Sequence, residues 1–339
     1  MKELLINLCE KVAVSGYEAD FLESLSEFAV KHADKVYFDR LGNLVCFKKG
    51  RKKALKKILF AAHADEVGMV VKSIEKDGTL LFDSIGILPS ALPTKRVFVG
   101  EKKLCGVIGA KPIHLLPKEE RAKNVTEKEL FIDIGAGSKE EAEKHIKVGD
   151  FVSFNSESVM LSDKKLKAKA IDDRAGCAVL LSLMSEDIEY DTWFAFTRRE
   201  ELGTIGAIQV GDEVCPDICV VCEATTASDI YGTPDMKKVV KLSEGVASPF
   251  MDGGTLYSPE LYALCRNAAL EKGIKWQTKT LVAGGTDARS FQRSGHGCRV
   301  LGLAIPCRYI HTSGCVCDLR DLEAQKQLAK EMLSALQQM

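Results

Sequence analysis

No uninterrupted apolar stretch in the 339 residues approaches the roughly 18 that a helix needs to span a bilayer, which excludes insertion into a membrane. A global charge of one sign is missing as well. Lys and Arg total 47 against 48 Asp and Glu, so no net field gathers nucleic acid or an anionic membrane surface. The one basic run, KKGRKKALKK from Lys48 to Lys57, is local and reads as a solvated turn into the next strand. The N-terminal MKELLINLCEKVAVSGYE begins as a charged amphipathic helix and lacks the apolar core and cleavage site of a signal peptide. Its 12 cysteines therefore point to a reduced, cytoplasmic protein rather than a disulfide framework. Cys219 and Cys222, three apart on an apolar strand, direct their sulfurs to opposite faces and do not make half a zinc site. Internal repeats and low-complexity segments are absent.

What is present is ordinary globular material, 46% hydrophobic and 28% charged, in a chain long enough for one large domain and a smaller one. Helical periodicity over Lys2–Val12 and Glu18–His32, two strands around a Gly-Asn turn, and the apolar run ending at His63 open an α/β domain. From about Val70 to Asn155 the texture changes to short alternating segments such as TLLFDSIG, KRVFVG and ELFIDIG, the pattern of an inserted antiparallel barrel. After Ala168 strands and helices alternate again. The expected division is 1–69 and 163–339 for the α/β domain and 70–162 for the insert.

Metal-capable side chains recur just beyond core strands or at a helix start: His63 with Asp65 and Glu66, Asp172 with Asp173, Glu200 with Glu201, Glu223, and His311. The carboxyl ends of strands form the ligand crevice of an open α/β sheet, so positions far apart in sequence can converge there. Singly, each has an ordinary explanation as a polar strand end, an N-cap or a charged turn. Gathered at one sheet edge, however, unpaired acids repel. Two divalent ions remove that repulsion, since their charge is balanced by Asp172, Glu201, Glu223 and one hydroxide, with two neutral imidazoles. Mixed nitrogen and oxygen donors suit zinc or cobalt, with manganese possible. Asp65, two residues after His63, is placed to accept the second imidazole N–H, as carboxylates beside metal-bound histidines do. Adjacent Glu200 and Glu201 cannot easily point the same way, so one serves a metal and the other faces water as a general base. GGTDARSF, with Thr286 and Asp287, lacks the lysine and spacing of a phosphate loop and reads as a substrate-side or interface turn.

HADEVG, AIDDRAGC, TRREELGTIGA, GGTDA and RYIHTSG, in this order and spacing, resemble the tetrahedral (TET) dinuclear metallo-aminopeptidases, which include glutamyl and deblocking aminopeptidases and relatives once labelled endoglucanase. SGYE at Ser15–Glu18 and LGN at Leu41–Asn43 extend the resemblance over nearly the whole chain. It implies a zinc-peptidase-like α/β sandwich with an inserted PDZ-like β-barrel. It also implies one metal on His63 and Glu223, another on Glu201 and His311, Asp172 bridging them at the start of a cis peptide, and Glu200 as the general base. Short peptides would be the substrates and a tetrahedral dodecamer the assembly. This chain departs from the pattern in carrying Glu223 where aspartate is common, and DIYG at Asp229–Gly232 where the family often has DxPG. A related dinuclear amidohydrolase acting on N-acyl amino acids and a catalytically inactive peptide-binding oligomer are the rival readings.

Overall fold

A computed structural model of the chain describes residues 1–119 and 121–339. The strand Ile58–His63 is buried along its whole length. Such a strand lies at the centre of a sheet covered on both faces. It pairs in parallel with Thr192–Thr197 on one side and Ile218–Thr226 on the other, and Ile218–Thr226 pairs in parallel with Arg299–Arg308. Antiparallel strands flank these four at both edges of an 11-stranded sheet, and Val246–Pro249 and Trp276–Lys279 branch from Arg299–Arg308.

Period-two alternation sends successive side chains to opposite layers. Ile58, Phe60 and Ala62 join a core with Leu5, Leu22, Ala178 and Leu328 from helices on one face. Leu59 and Ala61 instead meet Ala207, Val210, Ala288 and Phe291 on the other. Each fully buried Leu, Ile or Phe contributes about 1.5–3 kcal/mol. Cys222 belongs to the first core and Cys219 to the second, the opposed orientation expected of their spacing.

The chain leaves the sheet after His63 and enters a closed six-stranded barrel of Gly68–Ile74, Leu80–Ile85, Arg96–Val99, Leu104–Ala110, Leu130–Asp133 and Phe151–Phe154. Every pairing in it is antiparallel. The barrel has its own core of residues such as Met69, Phe82, Val97, Ile132 and Phe154. The mixed α/β sandwich with a barrel insert expected from the sequence is the observed architecture.

Sequence periodicity does not reveal the helix Ile205–Val214 or the strands Val246–Pro249 and Trp276–Lys279. The helix carries Gly206 and Gly211, which lower helix propensity. Both are required by close packing: a Cβ on Gly206 would lie 2.3 Å from Asn43 Oδ1, and one on Gly211 would lie 1.7 Å from Ser294 Oγ. Among the described residues no helix is long and apolar enough to cross a membrane.

Candidate metal centre and catalytic cleft

Four neighbouring parallel strands deliver the site from their carboxyl ends, as the topology of an open α/β sheet dictates. His63 ends one strand, Glu200 and Glu201 follow Thr197 at the end of the next, Glu223 lies near the end of a third, and His311 follows the fourth. Asp172 arrives from the helix Ile171–Ser185, and its peptide bond to Asp173 is cis.

Asp172 turns one carboxylate oxygen to each imidazole: Oδ1 is 3.2 Å from His63 Nε2 and Oδ2 is 3.3 Å from His311 Nε2. Glu223 Oε2 is 3.7 Å from His63 Nε2, and Glu201 Oε1 is 3.3 Å from His311 Nε2. The structure thus brings together His63, Asp172, Glu201, Glu223 and His311, with Glu200 lining the same cleft. Oxygen and nitrogen atoms of His63, Asp172 and Glu201 lie within 4.8 Å of one another, as do those of His63, Asp173 and Glu223. Asp173 is an addition to the expected set. It accepts the backbone N–H of Gly176 at 2.8 Å and of His63 at 3.3 Å.

Asp65 does more than the sequence suggested. Its two oxygens accept the backbone N–H groups of Glu200 at 3.0 Å and Glu201 at 3.1 Å. His63 Nδ1 is nearer to the Asp65 carbonyl, at 3.0 Å, than to its carboxylate, at 3.5 Å. One residue therefore orients the imidazole and pins the Glu200–Glu201 turn. His311 is oriented from the barrel: its Nδ1 lies 2.8 Å from the carbonyl of Gly86, just past the strand Leu80–Ile85. An Nδ1–H donated there leaves Nε2 free as a donor atom for a metal.

Burial and like charge dominate the electrostatics of the cluster. Burial pushes the Glu201 carboxyl up to about 7, with Asp172 and Asp65 adding to the rise against His311. Burial likewise raises Glu200 and Glu223 well above the ordinary range. Burial opposes the charge of His311, yet hydrogen bonding to Asp172 and the charge of Glu201 lift it to about 9. Glu201 Oε1 and Glu223 Oε1 are buried without a hydrogen bond, although buried polar atoms are normally paired. Crowded carboxylates, two convergent imidazoles and unpaired oxygens fit divalent cations.

Asp229, Thr286 and Asp287 have separate surroundings. Asp229 forms a two-pronged pair with Arg308, both contacts 2.7 Å, and Thr286 lies 3.1 Å from the Tyr257 hydroxyl. Asp287 is fully buried, accepts the Thr197 hydroxyl, and leaves Oδ1 unpaired. The adjoining cleft, of about 580 Å³, is also lined by Lys279, Asp252, Tyr257 and Arg289. Sequence reasoning singled out none of these four; Lys279 ends a strand that shows no periodicity.

A family model for the M42 glutamyl aminopeptidases matches residues 42–328. The chain belongs to the M42 glutamyl aminopeptidase family. It is a peptide hydrolase of that family. A protein of Acetivibrio thermocellus named as a putative aminopeptidase is 32% identical, covering 98% of both chains. The lysyl aminopeptidase of Pyrococcus furiosus is 30% identical, with 99% of this chain and 98% of that one covered. Among solved structures, the Pyrococcus horikoshii TET1 peptidase, described as able to assemble into a tetrahedron or a large octahedral shell, superposes with a TM-score of 0.87. It is 31% identical, and the match spans 98% of each chain.

Proposed function

We propose that this M42 chain is a dinuclear metallo-aminopeptidase that removes N-terminal residues from short peptides. His63 and Glu223 would hold one divalent ion, Glu201 and His311 the other, with Asp172 between them; zinc or cobalt suits these donors, and manganese is compatible. The observation that carries this reading is the division of Asp172, one oxygen to each imidazole, beside the buried Glu223 Oε1, which has no hydrogen-bond partner, and Glu201 Oε1, which faces His311 Nε2 at 3.3 Å. When bound, such ions would polarise the scissile carbonyl and acidify the attacking water.

The chain's own residues do the rest. Glu200 takes the proton of the attacking water on its carboxylate and passes it to the leaving nitrogen. Burial, with Asp287, Glu201 and Asp65 adding to it, raises the proton affinity of Glu200, as suits a group that must hold the proton between the two transfers. Asp65 fixes the backbone on which Glu200 and Glu201 stand. The excess of carboxylates favours a substrate that brings a free ammonium group, as a peptide N-terminus does.

In this reading residues 1–69 and 163–339 form the catalytic domain and 70–162 the insert. The chain assembles as a tetrahedral homo-dodecamer, as the tetrahedron of the P. horikoshii relative supports. The 12 free cysteines accord with a reduced cytoplasm. The test is hydrolysis of aminoacyl chromogenic substrates, with free or acetylated amines, by chelated protein reloaded with zinc, cobalt or manganese. Metal-restored cleavage confined to free amines is expected. Cleavage confined to the acetylated set would make the enzyme a deacylase, and two bound ions with no cleavage would make it a binding protein.

A further inference from the structure

We infer that Lys279 selects the substrate, admitting an N-terminal residue with a carboxylate side chain and refusing a cationic one. This rests on the aminopeptidase reading above. Family membership leaves the matter open, because the relatives carry both glutamyl and lysyl names.

The cleft is electrically two-ended. Glu200, Glu201 and Glu223 stand at the metal-site end and Lys279 at the other. Glu223 pairs across the sheet with Ala304, Ala304 with Ala247, and Ala247 with Gln277, two residues before Lys279. Three strand spacings, roughly 14 Å, thus separate the backbones of Glu223 and Gln277, and the Lys279 side chain spans part of that distance toward the acids, among which Asp252, Glu223 and Asp172 act on its charge. Gly302 and Ala304 line the space between, and a Cβ on Gly302 would meet Pro249 and Tyr257.

Lys279 is only 8% exposed, and its Nζ donates to the Ala283 carbonyl at 2.8 Å. No carboxylate lies within 4.0 Å of that Nζ among the described residues. An ammonium has three donors, so two remain for a ligand. A buried charge without a partner is costly, and a substrate carboxylate would relieve that cost. Asp252, the acid that bears most on Lys279, does not fill the role. Its oxygens already accept Gly254 N at 2.8 Å, Thr255 N at 2.7 Å and the Tyr257 hydroxyl at 2.8 Å. Arg289, exposed at the rim with its stem against Gly254, adds positive charge at the same end. A glutamyl or aspartyl N-terminus satisfies both ends at once, with its ammonium toward the acids and its side chain toward Lys279. A lysyl or arginyl one sets like charges together.

The experiment measures kcat/KM of the metal-loaded enzyme on glutamyl, leucyl and lysyl p-nitroanilides, for wild type, Lys279→Met, Lys279→Arg and Lys279→Glu. The wild type should favour glutamyl over lysyl. Lys279→Met should lower the glutamyl-to-leucyl ratio by roughly 30- to 100-fold, the usual consequence of removing one partner of a buried charge pair. Lys279→Arg should keep the acidic preference, and Lys279→Glu should turn it toward lysyl. Calorimetric titration with L-glutamate and L-lysine should show the same order without turnover. A ratio unchanged in all three variants, with glutamyl and leucyl rates falling together, would reduce Lys279 to a support for the Ala283 loop and overturn the inference. A wild type that cuts leucyl or lysyl substrates faster than glutamyl would also overturn it while leaving the aminopeptidase reading intact. Failure to cut any free-amine substrate would overturn both.

Discussion

Asp172 Oδ2 lies 3.3 Å from His311 Nε2, joining the head of a mid-chain helix to the loop that follows the last long strand of the parallel core. The same histidine reaches the barrel through Nδ1 and the Gly86 carbonyl. The barrel therefore helps build the site by orienting one of its imidazoles.

His311→Ala should remove one ion and spare the other, because the opposite pair, His63 and Glu223, stands on different strands. Elemental analysis after reloading is expected to fall from about two ions per chain to about one, with hydrolysis lost. Two full equivalents in the variant would show that His311 is not a ligand.

Glu66 is the anion of a buried network behind the site. It meets Lys169 Nζ at 2.7 and 2.8 Å, accepts Ala13 N at 2.9 Å, and lies 3.7 Å from Arg174. Arg174 in turn donates to the Ala64 carbonyl, between His63 and Asp65. Glu66→Gln would strand two buried cations and should cost about 3–5 kcal/mol. Adding Lys169→Met should recover part of that loss. Denaturant unfolding of the single and double variants measures both effects.

Arg308→Met should give a pH-dependent loss of stability. Burial would raise the Asp229 carboxyl, yet the hydrogen bonds and charge of Arg308 outweigh it and hold the group below its ordinary range. A depressed folded-state pKa means that the unfolded chain takes up the proton first as pH falls. The stability contributed by the pair is complete above the ordinary carboxylate range and is lost below it. Unfolding of wild type and variant should differ clearly at neutral pH and converge in acid. A difference that does not shrink toward acid would contradict the pairing as the source.

The fold was largely legible because its strongest signals are local. The continuous apolar run Ile58–His63 required a doubly covered strand, and the alternating segments after it required a separate antiparallel unit. The clustered residues were legible because acids and histidines recur together at the same kind of position beyond core strands, and the resemblance supplied their grouping. The helix Ile205–Val214 escaped notice because tertiary contact, not propensity, fixes Gly206 and Gly211. Gly86 was invisible because a backbone carbonyl leaves no trace in side-chain chemistry. Lys279 was hidden for another reason: its place in the cleft depends on Val246–Pro249 pairing with both Trp276–Lys279 and Arg299–Arg308, strands that are distant in sequence.

The most direct measurement is of Glu200→Gln, reading bound metal and kcat on one preparation. A glutamine keeps the shape of the side chain but cannot take the proton. The account predicts two ions per chain, unchanged assembly, and kcat lower by at least about 100-fold, the low end of what general acid–base catalysis contributes. Turnover near the wild-type rate with both ions in place would contradict the role assigned to Glu200 and, with it, the mechanism proposed for this site.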